Sequence, residues 1–211
     1  NTRLMTLQNG AGHEDLLKEF VDEDHIVIGT TEDNGAVLGM GHVRRGGTGV
    51  TNVGMLVEDK EGFLPQLKEA FDQCGFNVKI HENIQTLIWD KLFTNVSLSA
   101  LTGVLQVDMG YIVANEYAWD LCCQLIHETV KTAAAAGLDF DEEKVREKVK
   151  NISINNPKGC TSIRADLRDG RKTEVDTISG AVVRAAHKHG VEVPGHECIV
   201  RLVHAMEGRN K

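Results

Sequence analysis

The sequence has 211 residues, of which 41% are hydrophobic and 26% charged, which is ordinary for a globular protein of one large or two small domains. Its formal net charge of −8 argues against non-specific nucleic-acid binding, which needs a basic surface. No apolar run approaches the roughly 20 residues that span a bilayer, and we expect neither a membrane segment nor a signal peptide.

Five cysteines, an odd number without a Cys-x-x-Cys pair, predict a reducing cytoplasmic location with neither a disulfide framework nor a structural zinc site. The nine histidines are scattered along the chain. His187 and His189 are only two residues apart, and that spacing is unsuited to binding a metal from one helix face. We therefore expect no metal site.

The first third of the chain alternates between strand and helix patterns, which are set by apolar runs, β-branched residues and glycine stops. Strands are predicted at 3–8, 25–31 and 76–81, helices at 13–21 and 61–75, and short antiparallel strands with tight turns across 35–54. Gly75 is expected to end the second helix.

From Ile84 onward the patterns are helical. They predict helices at about 84–105, 115–136, 141–151, 157–170, 173–189 and 195–207, with Gly137 and Gly190 as stops and Pro194 near the start of the last. The expected domains are therefore an α/β part at 1–83 and an all-α part at 84–211. Because the α/β part opens directly in a strand, we expect the upstream portion of a larger α/β domain to be absent from this chain.

A row of polar side chains follows the helix predicted from Ile84. At 100° per residue, Lys91, Asn95, Ser99 and Thr102 share an arc of about 80° that is flanked by leucine and isoleucine. The ordinary solvent face is predicted elsewhere, around Thr86, Asp90, Thr94 and Ser97. A lysine among apolar residues is either paired with a carboxylate or solvated, or it faces a cleft that takes a polar ligand. The spacing leaves both interpretations open.

Two further stretches carry polar groups with alternative interpretations. In "TSIRADLRDGRKTEVDTISG" (161–180), Ser162 is a candidate helix cap, and Glu174 falls at the predicted start of the next helix, where a carboxylate is favoured by the helix dipole. In "QNGAG" (8–12), Asn9 lies either in a simple turn or in a ligand-binding loop at the carboxyl end of a parallel strand.

Together these stretches resemble the ketopantoate reductase family. The motifs that carry the resemblance are "TLQNGAG" (6–12), "GHVRRGGTGVTNVG" (41–54), "WDKLFTN" (89–95) and "TSIRADLRDGRKTEVDTISGAVVRAAHKHGVEVP" (161–194). Each is weak alone, but their order and spacing are specific. The resemblance implies an N-terminal Rossmann domain that binds NADPH, an all-helical C-terminal domain similar to that of 6-phosphogluconate dehydrogenase, and a substrate cleft between them. It also implies that the chain lacks the glycine-rich phosphate-binding turn, so that the fragment alone would be inactive and bind NADPH weakly.

The resemblance also assigns roles to individual residues. Lys91 corresponds to the catalytic lysine that gives a proton to the substrate's keto oxygen. Asn95 and Ser162 correspond to substrate-binding residues, and Asn9 to an asparagine where nicotinamide and substrate meet. Ser99 stands where the family often has a second asparagine, and we expect it to contact substrate.

For the cofactor, Glu174 corresponds to a contacting glutamate, and Gly35 falls where a backbone group touches NADP. Met109 departs from the family at a position where some members carry another polar substrate contact. That departure leaves the identity of the 2-keto acid open.

The expected function is NADPH-dependent reduction of 2-dehydropantoate (ketopantoate) to pantoate in pantothenate and coenzyme A biosynthesis, by a cytoplasmic homodimer. Two alternatives stay open. One is a paralogous reductase of another 2-keto acid, and the other is a non-catalytic helical dimerisation module. The matched set of Lys91, Asn95, Ser162 and Glu174 favours an enzyme over a module, because a module does not require all four.

Overall fold

The computed structural model describes residues 2–210, and the chain forms two compact units. The first comprises Asn1–Gln8 and Gly12–Ile88, and the second comprises Asn9–Ala11 and Trp89–Lys211. The short Asn9–Ala11 stretch thus belongs with the helical unit although it lies near the start of the chain. The domain boundary expected near residue 83 stays a prediction.

The first unit is built on a four-stranded mixed sheet. Its strands are β1 (Leu4–Thr6), β2 (Ile26–Thr31), β5 (Val50–Met55) and β6 (Asn77–Ile80), in the order β1-β2-β5-β6. The β1–β2 and β5–β6 pairs are parallel, and the central β2–β5 pair is antiparallel. Ile26, Val27 and Ile28 of β2 are buried, as predicted for a β-branched strand in the interior of a sheet.

Helix α2 (Phe63–Gln73) covers one face of this sheet. Leu64 on α2 packs with Val27, Val53 and Val78 of the strands to form the core. After Cys74 the backbone turns left-handed at Gly75, with φ of 87°, which confirms the predicted stop. The first predicted helix is shorter than expected, since α1 spans His13–Leu17 and turns follow it.

The prediction of short antiparallel strands across 35–54 is confirmed, but these strands divide between two sheets. Strands β3 (Gly35–Gly39) and β4 (His42–Arg45) form a separate antiparallel hairpin. The third strand of that stretch, β5, instead enters the main sheet, where it pairs with both β2 and β6. Local alternation cannot distinguish these outcomes, because strand partners are chosen by long-range packing.

The second unit is helical, and between Trp89 and residue 210 the structure contains no strand. Its elements after α3 (Ile84–Thr94) are a π-helical segment (Asn95–Ser99), α4 (Ala100–Leu105), α5 (Met109–Ala114), α6 (Glu116–Ala135), α7 (Glu142–Asn155), α8 (Ser162–Arg168), α9 (Ser179–His189) and α10 (Pro194–Glu207). Gly137 and Gly190 are left-handed and end α6 and α9, and Pro194 begins α10, as predicted.

Four details of the helical prediction are wrong. The helix expected at 84–105 is interrupted by the π-helical segment, and α5 was not predicted. Helix α8 begins at Ser162 instead of residue 157, because the preceding residues form a turn and then extended backbone. Helix α9 begins at Ser179 instead of residue 173, because residues 174–178 form turns.

Helix α6 runs along the middle of this unit and packs against α5, α7, α9, α10 and the π-helical segment. Its Glu128 is 5% exposed and accepts hydrogen bonds from the backbone nitrogens of Gly195 (3.0 Å) and His196 (3.1 Å). These amides are in the first turn of α10, where no earlier carbonyl can accept from them. A carboxylate from one helix therefore caps another and complements its dipole.

Candidate active site

The polar row lies where the long helix changes its winding. Lys91 is half-buried on the last turn of α3, Asn95 opens the π-helical segment, and Ser99 closes it. A π-helical turn is rare and holds one more residue than an α-helical turn, and such turns occur frequently at functional sites. The chain therefore departs from regular helix at the residues that the sequence analysis singled out.

The row has the apolar surroundings that the sequence predicted. Ile88, Leu92 and Leu98 are buried. Ser99 is 3% exposed, and its hydroxyl has no hydrogen-bond partner among the described residues. A buried hydroxyl without a partner costs about 1–3 kcal/mol, so a polar ligand that reaches it would recover part of that cost.

Two residues of this helix make buried contacts that the sequence pattern did not predict. Ser97, predicted on the solvent face, is fully buried and donates to the Phe93 carbonyl at 2.6 Å. Thr102, predicted in the polar row, is also buried; its hydroxyl donates to the Leu98 carbonyl at 2.7 Å and lies 2.7 Å from the Thr161 hydroxyl. Ser97 is buried because α6 and α7 pack on the π-helical segment.

Helix α8, which carries Ser162, packs against α4 and the π-helical segment. The contact is close: a Cβ on Gly103 would lie 2.4 Å from Cγ2 of Ile163. The predicted cap is displaced by one residue, because Thr161 has the extended backbone of an N-cap and accepts from the Arg164 amide. Ser162 occupies the first helical position and is exposed, so its hydroxyl is not used in capping.

The loop after β1 is held against the segment that precedes α9. Asn9 Nδ2 donates to Glu174 Oε2 at 3.3 Å, and the Ala11 amide donates to the Thr177 carbonyl at 2.9 Å. Gly10, with φ of 98°, lies so close that a Cβ would be 1.9 Å from the Thr177 oxygen. Only glycine fits this position, so the Asn-Gly pair is a specific packing element and not merely a turn. The prediction that the loop follows a parallel strand is confirmed by the β1–β2 pairing.

Glu174 is not a first-turn helix residue. Helix α9 begins five residues later, and Glu174 is half-buried in the turn before it, with its carbonyl accepting from the Thr177 and Ile178 amides. The helix-dipole interpretation of this carboxylate is therefore wrong. Its side chain instead contacts Asn9, which is 165 residues away in sequence.

Gly35 and Met109 both lie within regular secondary structure. Gly35 pairs with Arg45 in the β3–β4 hairpin of the first unit. Met109 is buried at the start of α5, where its carbonyl accepts from the Ser153 hydroxyl at 2.6 Å. Sequence reasoning missed the roles of Gly10 and Thr161. The Asn-Gly pair and the adjacent Thr161-Ser162 caps were the signals that could have indicated them.

The described residues of the helical unit thus present two constellations. Lys91, Asn95 and Ser99 follow one another at four-residue intervals, beside the helix that Ser162 opens. Asn9 and Glu174 form the second constellation through a side-chain hydrogen bond. The first provides a cation and neutral hydrogen-bonding groups, and the second provides a carboxylate and an amide.

Comparison with known families matches both parts of the chain. Residues 1–58 match the family model of "Ketopantoate reductase PanE/ApbA", and residues 83–207 match that of "Ketopantoate reductase PanE/ApbA C terminal". One similar relative is the 2-dehydropantoate 2-reductase of Streptococcus pyogenes serotype M6, which is 28% identical over 98% of this chain and 67% of the relative. Another is the 2-dehydropantoate 2-reductase of Halobacterium salinarum, which is 30% identical over 95% of this chain and 66% of the relative. The chain thus spans about two thirds of the length of these relatives.

Solved structures are also similar to this chain over nearly its whole length. A ternary structure of D-mandelate dehydrogenase with NADH and anilino(oxo)acetate is 29% identical, with a TM-score of 0.88, covering 98% of this chain and 68% of that one. A PanE/ApbA family ketopantoate reductase from Ralstonia eutropha JMP134 is 25% identical, with a TM-score of 0.86, covering 97% and 66%. The predicted fold class, a Rossmann-type α/β part followed by an all-helical domain, is confirmed. The chain belongs to the ketopantoate reductase PanE/ApbA family.

Proposed function

We propose that this chain carries the proton-donating and substrate-binding part of an NADPH-dependent reductase that converts 2-dehydropantoate to pantoate, a step of pantothenate and coenzyme A biosynthesis. The observation that carries the proposal is the π-helical segment directly after Lys91, which ends in the buried, unpartnered hydroxyl of Ser99. Family membership supports the reaction class.

In the proposed reaction a hydride adds to the keto carbon while a proton adds to the keto oxygen, giving the 2-hydroxy acid. The Lys91 ammonium supplies the proton and stabilises negative charge on that oxygen in the transition state. Asn95 and Ser99 orient the polar groups of the substrate, and the Ser162 hydroxyl donates to its carboxylate. The buried flanks of the row exclude water, which strengthens each of these interactions.

The hydride is supplied by a nicotinamide dinucleotide, and we propose NADPH with Asn9, Glu174 and the backbone of Gly35 as contacts. The Glu174 carboxylate fits this role, because it accepts from Asn9 through Oε2 and can accept from a second donor through Oε1. The absence of a side chain at Gly10 lets the Asn9 loop approach the Glu174 turn closely.

A second candidate is reduction of a different 2-keto acid with NADH. The similarity to a D-mandelate dehydrogenase bound to NADH favours it, as does serine instead of asparagine at position 99. This candidate uses the same residues and chemistry. It differs in the substrate's side chain and in the cofactor that is preferred.

We further propose a cytoplasmic homodimer. All five cysteines are free, which fits a reducing compartment. Among the described residues no helix is long and apolar enough to cross a membrane. A non-catalytic helical module is the remaining alternative, and it predicts no turnover at all.

The test is steady-state oxidation of NADPH and NADH, with 2-dehydropantoate and with benzoylformate, the keto acid that corresponds to mandelate. The protein is expressed with any sequence that precedes Asn1 in its gene. We expect Lys91→Ala to lower kcat by roughly 10²-fold or more, the usual size for loss of a general acid. Ser162→Ala should act mainly on KM of the keto acid, and Glu174→Ala on KM of the cofactor.

Lys148→Ala is the matched control. Lys148 is also a half-buried lysine on a helix. It is paired with Asp90 at 2.6 Å, and it has no proposed role in the reaction. We expect its kcat to stay within about threefold of the parent, since a partly exposed ion pair contributes little beyond stability. A normal kcat for a well-folded Lys91→Ala protein would refute the assignment of the proton donor.

A further inference from the structure

The segment from Thr173 to Ile178, which carries Glu174, is held in place by side chains of α10. Glu207 Oε1 accepts from the Thr173 amide at 2.7 Å, directly before Glu174. His204 Nε2 lies 2.9 Å from Asp176 Oδ1, two residues after Glu174. The two anchor points thus bracket Glu174 on both sides.

His204 and Glu207 also contact each other, because His204 Nδ1 lies 2.9 Å from Glu207 Oε2. Both ring nitrogens of His204 therefore face carboxylate oxygens. A neutral imidazole has one N–H, so only the imidazolium can donate to both carboxylates at once. Among the described residues, the ionisable side chains that act on the ring are Glu207 of α10 and Asp176 of the segment. The nearby Arg184 of α9 instead donates to the backbone carbonyl of Asp176, at 2.9 Å.

The electrostatics agree with this geometry. The hydrogen bond to Glu207 is the largest cause that raises the pKa of His204, and Asp176 adds to it against a smaller effect of burial. The pKa of Glu207 is lowered, despite its partial burial, because it accepts from the Thr173 amide and from His204. Folding thus favours the charged forms of His204 and Glu207.

The anchored segment has little regular structure of its own. Residues 174–178 form turns, with the side chains of Val175 and Ile178 buried. The segment also positions the loop after β1, through the contacts of Asn9 with Glu174 and of Ala11 with Thr177. A shift of the segment away from α10 would therefore displace the Glu174 carboxylate together with its partner Asn9.

We propose that His204, through Asp176 and Glu207, is a positioning residue for Glu174, and that its protonated form holds the cofactor-binding carboxylate in place. The inference rests on the proposed function of Glu174. It makes cofactor affinity depend on pH through a side chain that acts on Glu174 by way of its neighbours.

The sign follows from the direction of the shift. A histidine with a raised folded-state pKa is fully charged, and holds both carboxylates, below its ordinary pKa of about 6.5. As pH rises through the raised pKa, the ring keeps one N–H and one of the two carboxylates loses its donor. Cofactor affinity should therefore fall as pH rises through that pKa.

The experiment measures Kd of NADPH by fluorescence, and KM and kcat, between about pH 5.5 and about pH 9, the range in which histidine titrates. In the parent, Kd should rise about two- to tenfold with pH, the size of one net hydrogen bond. His204→Gln has a neutral side chain at every pH and cannot replace the imidazolium between the two carboxylates. It should show the high-pH Kd over the whole range. His204→Lys, cationic over the whole range, should keep the low-pH Kd at all pH values.

His187→Gln is the matched control, because His187 is also an exposed histidine beside a carboxylate, Glu197 at 3.1 Å, but makes no contact with the 173–178 segment. Its pH profile should match that of the parent. Suppose that Glu174→Ala loses cofactor affinity but that the pH profile of His204→Gln matches that of the parent. That result would overturn the positioning role of His204 and leave the proposed role of Glu174 intact. If Glu174→Ala leaves Kd unchanged, the proposed cofactor role fails, and the positioning inference fails with it.

Discussion

Replacing Gly10 by alanine tests whether the loop after β1 is packed against the Glu174 turn. An L-residue at φ of 98° costs about 1–2 kcal/mol in backbone strain. The new Cβ would lie 1.9 Å from the Thr177 oxygen, so the two must separate by at least 1.1 Å to reach the 3.0 Å below which real Cβ contacts are essentially never found. That movement breaks the 2.9 Å hydrogen bond from the Ala11 amide, at a net cost of about 0.5–1.5 kcal/mol.

The expected total for Gly10→Ala is a loss of about 1.5–3.5 kcal/mol in the free energy of unfolding, measured by urea denaturation. Gly137→Ala is the matched control, because Gly137 has a similar φ of 85° and no atom within 4 Å of the added Cβ. The control should cost only the strain, about 1–2 kcal/mol. The difference between the two variants isolates the packing of the loop.

A local probe follows the same contact. Amide hydrogen exchange at Ala11 should accelerate in Gly10→Ala and stay unchanged in Gly137→Ala, because only the first variant separates that amide from its acceptor, the Thr177 carbonyl. Cofactor KM should rise in Gly10→Ala if Asn9 and Glu174 act together. Equal losses of stability in both variants, with Ala11 still protected, would refute the packing argument.

Two further predictions concern the buried polar contacts of the helical unit. Glu128→Ala should lower the free energy of unfolding by about 3–5 kcal/mol in urea denaturation, because the Gly195 and His196 amides lose a charged acceptor. Glu128→Gln should cost less, since its amide oxygen can still accept. Equal losses in the two variants would contradict the explanation that Glu128 caps α10. Thr102→Val should cost about 1–2 kcal/mol by thermal melts, since it removes the hydroxyl that faces Thr161 at 2.7 Å; a neutral result would show that this contact does not secure α8.

By itself, the sequence determined most of the strands and helices, the family and the residues that are proposed to act. Strand β2 and the glycine stops at Gly75, Gly137 and Gly190 lie where they were predicted, because burial periodicity and left-handed backbone preference are local properties. Lys91 and its apolar flanks could be identified for the same reason.

Only the tertiary structure revealed the π-helical turn after Lys91, the contact of Thr102 with Thr161, and the position of Glu174 outside any helix. These features depend on contacts between distant parts of the chain, such as Asn9 with Glu174 and His204 with Asp176. A regular helical period predicts one winding and one face, whereas packing against neighbouring helices selects where the winding changes and where a helix begins. The contacts that position the candidate site are therefore long-range, and no local pattern in the sequence specifies them.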